Sequence, residues 1–152
     1  MALEQDIVRL ARTRPFAIMP REALQLVAFA SQKLHLPPQK TLFDEGDWAE
    51  EGFFVLAGSL KLWTKSETRE RSQIAEADSF IGESALFVQV RRPTSALTLE
   101  ACVVLRITRD TMTKVLLEFP RAAKDLRDDL ANRSRQLAQE LDDVRLRALE
   151  IE

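Results

Sequence analysis

Residues 80–98 are the most informative segment of this chain. It reads Phe80-Ile81-Gly82-Glu83-Ser84-Ala85-Leu86-Phe87, then a short spacer, then Arg91-Arg92-Pro93-Thr94-Ser95-Ala96-Leu97-Thr98. The Gly-Glu pair before an apolar run predicts a tight turn that opens a turn of helix. Amides at such a turn bind anions, and an arginine nine positions after the glutamate adds a positive charge. A carboxylate beside that anion site can accept a hydrogen bond from the same ligand.

Length and charge exclude several classes of protein. The 152 residues predict one domain, and the net charge of −2 gives no basic excess for binding nucleic acid. No apolar run approaches the ~20 residues of a membrane helix, and the first residues carry acids and no apolar segment, so we expect no secretory signal. We therefore expect a cytoplasmic chain that contacts neither nucleic acid nor membrane.

The composition disfavours a metal site and a catalytic nucleophile. His35 is the only histidine and Cys102 the only cysteine, so no His/Cys metal cluster can form. A Cys-His pair remains formally open, but Cys102 lies in an apolar, strand-like run that favours a buried, inert thiol. We predict no catalytic residue, no metal, no cofactor and no enzymatic activity.

The chain divides into three parts by pattern, all within one domain at 1–152. Apolar residues recur at helical spacing from Leu3 to Leu10, and a second helix is predicted from Pro20 to the Pro37-Pro38 pair, so residues 1–38 are predicted as N-terminal helices. Residues 39–107 carry all four glycines and many short apolar runs, which favour a small β-barrel or jelly roll with a charged loop at 66–71. The predicted strands are 41–43, 53–56, 60–63, 72–75, 94–99 and 103–107. Residues 108–152 are predicted as C-terminal helices, capped at Thr108 and divided at Pro120.

Two spaced motifs resemble one known family. The 80–98 stretch is similar to the phosphate-binding cassette of cyclic nucleotide-binding domains. Upstream, Glu45-Gly46-Asp47 and Gly52-Phe53-Phe54-Val55-Leu56-Ala57-Gly58 resemble a second stretch of that family. The order of helices and strands also matches, so the resemblance covers nearly the whole chain. It implies an α+β fold with a long C-terminal helix.

The resemblance assigns roles to cassette residues. The Ala85 amide would contact a phosphate oxygen, where Gly82 allows close approach. Glu83 would accept the ribose 2′-hydroxyl, and Arg92 would neutralise the phosphate. Ser95 would offer a hydroxyl to the phosphate or base, although an ordinary strand-surface role is favoured for it.

Ser84, Pro93 and Thr94 complete the predicted ligand-binding set, and two of them depart from the family pattern. Pro93 has no N–H for the phosphate. Ser84 replaces an apolar residue. Asp78 stands where many members have a turn glycine, and aspartate tolerates that backbone better than most residues.

The resemblance implies a cyclic nucleotide as ligand, with cAMP favoured over cGMP. Members that prefer cGMP often carry a threonine after the arginine, and Pro93 has no such hydroxyl. Arg133, Gln136 and Leu137 are candidates for a lid over the base, because the family takes its lid from the last helix.

The last helix carries a heptad pattern. Leu130, Leu137, Val144 and Ile151 recur every seven residues, with Leu141 and Ala148 between them. This stripe packs either on the chain's own barrel or on a second copy. A parallel homodimer is favoured because about thirty helical residues make a rod of roughly 45 Å, longer than a small barrel.

These features predict a cyclic nucleotide sensor that signals by rearranging its C-terminal helix, with a protein effector that the sequence does not identify. Two alternatives remain open. The chain can be a protein-interaction module that has kept the fold without the ligand, or the sensor half of a transcription regulator that continues beyond Glu152. The resemblance implies a stand-alone sensor if it does not continue.

Overall fold

A computed structural model describes residues 2–65 and 72–150 of the chain. The predicted loop at 66–71 and the heptad residue Ile151 lie outside this range, and the side chain of Ala148 is not described. The helices are α1 (Ala2–Leu10), α2 (Arg21–Ala30), α3 (Arg109–Glu118) and α4 (Pro120–Glu150), with 3₁₀ turns at Phe16–Ile18 and Glu83–Leu86. The strands are β1 (Gln32–Leu36), β2 (Thr41–Phe43), β3 (Trp48–Ala49), β4 (Glu51–Ala57), β5 (Leu60–Trp63), β6 (Gln73–Ala75), β7 (Phe80–Ile81), β8 (Val90–Arg91), β9 (Ser95–Thr98) and β10 (Cys102–Thr108).

The predicted α+β class, the N-terminal helices and the long C-terminal helix are confirmed, but the strands do not close into a barrel. The described strands form two four-stranded sheets, β1-β10-β4-β7 and β2-β9-β5-β6, and a two-stranded arm, β3-β8. All the pairings are antiparallel. The edge strands β7 and β6 have only two and three residues, so they offer few backbone groups for closing the two sheets.

Strand β1 corrects the sequence analysis, which extended the second helix to Pro37. Helix α2 ends at Ala30, and Gln32–Leu36 pairs antiparallel with β10. The segment alternates, with Leu34 and Leu36 against the apolar cluster between the sheets and the polar residues exposed. A period of two favours a strand, and the sheet edge of β10 supplies its hydrogen bonds.

Strands β4 and β10 are buried on both faces, which explains their continuous apolar runs. Phe54 and Leu56 of β4 face the cluster formed with α1, α2 and α3, whereas Phe53 and Val55 face the cluster between the two large sheets. Because β7 pairs with β4, this central strand fixes the position of the turn that follows β7.

Helix α3 begins as predicted, since the Thr108 hydroxyl accepts the Thr111 N–H at 3.1 Å. The buried apolar residues of helix α4, Ala122 and Leu126, lie in its first turns and pack against the rest of the domain. From residue 134 to residue 147 every side chain is exposed. The last four turns of α4 therefore extend away from the sheets.

Candidate functional site

The predicted cassette forms a tight turn between β7 and a single 3₁₀ turn. Gly82 is left-handed, with φ 86° and ψ 40°. A Cβ at this position would lie 2.7 Å from Nη1 of Arg92, so the guanidinium packs directly against the glycine backbone. Glycine is required here by the positive φ and by this close approach.

The amides of the turn are partly used by the turn itself. The Ala85 N–H, which the resemblance assigns to a phosphate oxygen, donates to the Gly82 carbonyl at 3.2 Å. The Glu83 and Ser84 amides precede this first bonded N–H, and Ser84 is exposed. They are therefore the better candidates for an anion contact.

Arg92 lies beneath this turn and is 4% exposed. Its Nη2 donates to the Glu51 carbonyl at 2.8 Å and lies 3.9 Å from the Glu51 carboxylate. The guanidinium carbon is 4.1 Å from the centre of the Phe43 ring and 5.7 Å from that of Phe53. Burial lowers the pKa of Arg92, while the carboxylates of Glu51 and Asp47 raise it in turn. The side chain keeps its charge, because arginine titrates far above neutral pH.

Glu83 is paired with the last helix. Arg133 of α4 donates to both carboxylate oxygens, from Nη2 to Oε1 at 2.5 Å and from Nη1 to Oε2 at 3.2 Å. The hydrogen bond to Glu83 is the main cause that raises the pKa of Arg133. Arg133 was predicted only as a lid residue, because Glu83 lies fifty positions before it and no local motif joins the two.

Ser95 has a structural role in the arrangement seen here. Its side chain is buried, and the hydroxyl accepts the Glu45 N–H at 2.8 Å. Pro93 is exposed and Thr94 is half-buried. Arg91, the neighbour of Arg92, is exposed and lies over the Trp48 ring at 4.0 Å.

Residues before the cassette support it. Asp78 adopts the left-handed backbone expected of it, with φ 69°. Its carboxylate accepts a 2.6 Å bond from Arg9 of α1, so the segment before β7 is held by the N-terminal helix. The contacts of Arg92 with Glu51 and Phe43 were not predicted from the sequence. These two residues lie 41 and 49 positions before Arg92 and belong to no local motif with it.

The chemistry of these groups suits an anion and a hydroxyl donor at neighbouring positions. Arg92 and the glycine turn offer positive charge and N–H groups, and the Glu83 carboxylate is the adjacent acceptor. Among residues 2–65 and 72–150, no three His, Cys, Asp or Glu side chains are placed to hold a metal.

The two residues of the formal Cys-His pair are separated by the sheet. Cys102 pairs with Leu36 in the register of β1 and β10, so the preceding His35 points to the opposite face. Burial raises the pKa of the Cys102 thiol, which disfavours the reactive thiolate. In the part of the chain that the structure describes, no helix combines the length and apolar character of a membrane span.

Solved structures with the same fold were found in bacteria and in a protozoan parasite. A cyclic nucleotide-binding-like protein from Brucella abortus is 29% identical, with a TM-score of 0.66 over 74% of this chain and 97% of that chain. The N-terminal domain of a transcriptional regulator from Streptomyces coelicolor is 23% identical, with a TM-score of 0.78 over 88% and 94%. The regulatory domain of Toxoplasma gondii PKA, solved with cAMP, is 24% identical, with a TM-score of 0.70 over 75% and 44%. The last two likenesses concern the fold alone.

No relative was found among curated protein sequences. A family model for the cyclic nucleotide-binding domain matches residues 33–119, more than half of the chain, and includes both the cassette and the upstream glycine motif. Together with the glycine turn and its arginine, this match shows that the chain belongs to the cyclic nucleotide-binding domain family.

Proposed function

We propose that this chain is a sensor of cyclic nucleotides, with cAMP as its ligand, and that α4 carries the signal. One observation supports this most directly: the Arg92 guanidinium packs against Gly82, and the carboxylate of Glu83 follows in the next residue. A 3′,5′-cyclic nucleotide presents one negative phosphate and one free ribose hydroxyl, which match this pair of charges.

The choice of cAMP rests on two weaker arguments. Pro93 lacks the hydroxyl that a guanine-preferring site would place after the arginine. The Toxoplasma gondii regulatory domain, which shares the fold, was solved with cAMP. A comparison of ligands decides between cAMP and cGMP.

A thermal-melting screen tests the proposal with cAMP, cGMP and cyclic di-GMP up to millimolar concentrations. A hundredfold excess over Kd stabilises the folded state by about 2.7 kcal/mol. This is a shift of several degrees for a domain of about this size. We expect a shift with cAMP. No shift with any of the three would reject the sensor function.

The second candidate is a protein-interaction module without a nucleotide. It is favoured by Pro93 and Ser84, and by the protein partners that Arg92 and Glu83 already have. A third is the sensor half of a transcription regulator, as in the Streptomyces coelicolor protein whose N-terminal domain shares the fold. The gene sequence beyond Glu152 tests this third candidate.

We further propose that α4 joins two copies of the chain. Leu137, Leu141 and Val144 of the heptad stripe are 58–61% exposed, and each lies in the part of α4 that extends away from the sheets. Burying such a stripe against a second copy is a strong driving force. The alternative is that the stripe packs on the chain's own strands. In this structure the three side chains are exposed and make no such contact.

The family is a regulatory binding fold, and we propose that the chain has no enzymatic activity and works in the cytoplasm. Incubation of cAMP with the protein, followed by chromatography, should return the nucleotide intact. Cell fractionation of a tagged chain tests the location.

A further inference from the structure

A second cavity lies where β4 begins, β10 ends and α3 begins. Its volume of about 470 Å³ is within the range of ordinary small-molecule sites. None of the described residues that line it belongs to the cassette. We name it the α3 cavity, and its lining residues are Glu50, Arg106, Thr108, Arg109, Asp110 and Thr113.

The two arginines of the α3 cavity have almost no protein partners. Within the described residues, neither guanidinium makes a hydrogen bond, and Arg109 forms no ion pair. Arg106 lies 3.8 Å from the Glu51 carboxylate, which is beyond hydrogen-bond distance. Nη1 of Arg109 is buried from solvent and has no acceptor. A buried donor without an acceptor costs free energy, so a missing acceptor is the simplest explanation for it.

The positive charge of the cavity comes from these side chains and not from the start of α3. The first helical amide, that of Arg109, donates to the Glu50 carbonyl at 2.8 Å. The Thr111 amide donates to the Thr108 hydroxyl at 3.1 Å. Both amides are therefore used by the fold, and an anion in the cavity would be held by the guanidinium groups.

Two carboxylates also line the cavity and limit its net charge. Asp110 pairs with Lys114 at 2.9 Å, one turn further along α3. The Glu50 carboxylate is exposed and forms no ion pair or hydrogen bond with any residue that the structure describes. A carboxylate accepts hydrogen bonds only, so this one suits a hydroxyl donor. The cavity thus combines two unpaired guanidinium groups with one unpaired acceptor.

We propose that the α3 cavity binds a small molecule that carries an oxyanion beside a hydroxyl group. The oxyanion, a phosphate or a carboxylate, contacts Arg106 and Arg109 and supplies the acceptor that Nη1 of Arg109 lacks. The hydroxyl donates to Glu50. This site is additional to the proposed nucleotide site, and it stands or falls separately from it.

The unpaired guanidinium allows a first test on the protein without ligand. Arg109→Met keeps the length of the side chain and removes a buried donor that has no acceptor, so no hydrogen bond is lost. The Tm of this variant should equal or exceed that of the wild type. A Tm several degrees lower would show that Arg109 supports the fold, which overturns the inference.

Calorimetric titration with inorganic phosphate, glycerol 3-phosphate and malate, at constant ionic strength, tests binding. Glycerol 3-phosphate and malate each carry an oxyanion and a hydroxyl, so at least one of them should bind more tightly than inorganic phosphate. The tighter of the two identifies the anion. Arg106→Met and Arg109→Met should each weaken binding by at least about tenfold, the scale of a hydrogen bond to a charged group.

Two further variants locate the bound anion. Arg121→Met is the charge control, because Arg121 is exposed and forms no ion pair with a described residue. Arg92→Met removes the arginine of the cassette, which an anion could also approach. Both variants should bind the chosen compound as tightly as the wild type does.

Three binding results would overturn the inference. The first is that none of the three compounds binds the wild type at up to about 10 mM. The second is binding that is lost in Arg92→Met and kept in Arg109→Met, which places the anion at the cassette. The third is an equal loss in Arg121→Met and Arg109→Met, which shows only a general attraction to positive charge.

Discussion

Replacing Arg92 by methionine should separate ligand binding from folding. Methionine has a similar length and can keep the packing on Phe43 and Phe53, because its thioether makes favourable contacts with aromatic rings. The substitution removes the guanidinium that would neutralise a phosphate. We expect cAMP binding to weaken by about 2–4 kcal/mol, the scale of other truncated charge pairs. This corresponds to roughly 30- to 1000-fold in Kd.

The stability of Arg92→Met should change little, since opposing effects cancel. The variant loses the 2.8 Å bond to the Glu51 carbonyl, which is worth about 1.5–3 kcal/mol as a bond to a charged group. It also removes the cost of burying a charge, and such replacements are often neutral. The Glu51 carboxylate keeps Arg106 at 3.8 Å, so no acid is left alone. We expect a net change within about 1 kcal/mol, or a few degrees in Tm.

Arg92→Ala is the informative contrast. It removes the same charge and also leaves a space beside the Phe43 and Phe53 rings, at a cost of about 2–3 kcal/mol. This lowers Tm by roughly 4–12 °C in a domain of this size. Calorimetric titration with cAMP and thermal melting of both variants provide the measurement. Arg91→Met, at an exposed position, is the control for removal of one charge and should bind cAMP as the wild type does, with a loss of stability of at most about 1 kcal/mol from its contacts with Trp48 and the Gly46 carbonyl.

Two outcomes would refute this reasoning. If Arg92→Met binds cAMP as tightly as the wild type does, the arginine holds the cassette turn and does not bind phosphate. If Arg92→Met melts as low as Arg92→Ala, the charge itself stabilises the fold, and its burial is not offset in the way assumed here.

Three further predictions use simpler assays. Gly82→Ala should lower the free energy of unfolding by about 2–4 kcal/mol in urea denaturation, because the new Cβ meets the Arg92 guanidinium and the positive φ is strained. Gly46→Ala is the control. Its φ is also positive, at 88°, but the space around it is open, so it should cost only about 1 kcal/mol. The thiol of Cys102, 2% exposed and with its pKa raised by burial, should react with a thiol reagent at pH 8 only after unfolding, and fast labelling of the folded protein would contradict this. Leu141→Asp should convert a dimer to a monomer in analytical ultracentrifugation, whereas Leu146→Asp, equally exposed but off the heptad stripe, should leave it intact.

Local sequence signals predicted the glycine turn and the start of α3 well. Gly82 adopts the positive φ that its place in the motif implied, and Thr108 caps α3 through its hydroxyl. Both features depend on residues within a few positions of each other, so the sequence carries them directly. The family was recognised for the same reason, because each of its two motifs is a short continuous segment.

At strand β1 the prediction was wrong because the proline pair at 37–38 was taken as the end of the second helix. The helical spacing of Leu24 and Val27 was extended to Pro37, although the alternation at residues 32–36 has a period of two. What makes this segment a strand is its pairing with β10, some seventy positions later. A short segment of sequence does not show that a distant strand will be available as a pairing partner.

The partners of the two predicted ligand residues are equally remote in the chain. Glu51 and Arg133 lie 41 and 50 positions from Arg92 and Glu83 respectively. Sequence patterns predicted which side chains carry the charges, but not that each already has a protein partner. Only the packing of β4 and α4 against the cassette brings those partners into contact.

The two halves of the proposed site differ in what a ligand must displace. Arg92 uses Nη2 for the Glu51 carbonyl, while Nη1 lies against Gly82 on the side of the turn. Since a guanidinium has five N–H donors, a phosphate that contacted Nη1 would leave the bond to Glu51 intact. The Glu83 carboxylate, in contrast, already accepts two bonds from Arg133, and a ribose hydroxyl would have to share it with that arginine. In the proposed complex a phosphate would therefore add contacts to Arg92, whereas a hydroxyl would join a carboxylate that is already paired. On this reasoning the phosphate should supply most of the affinity of the proposed complex.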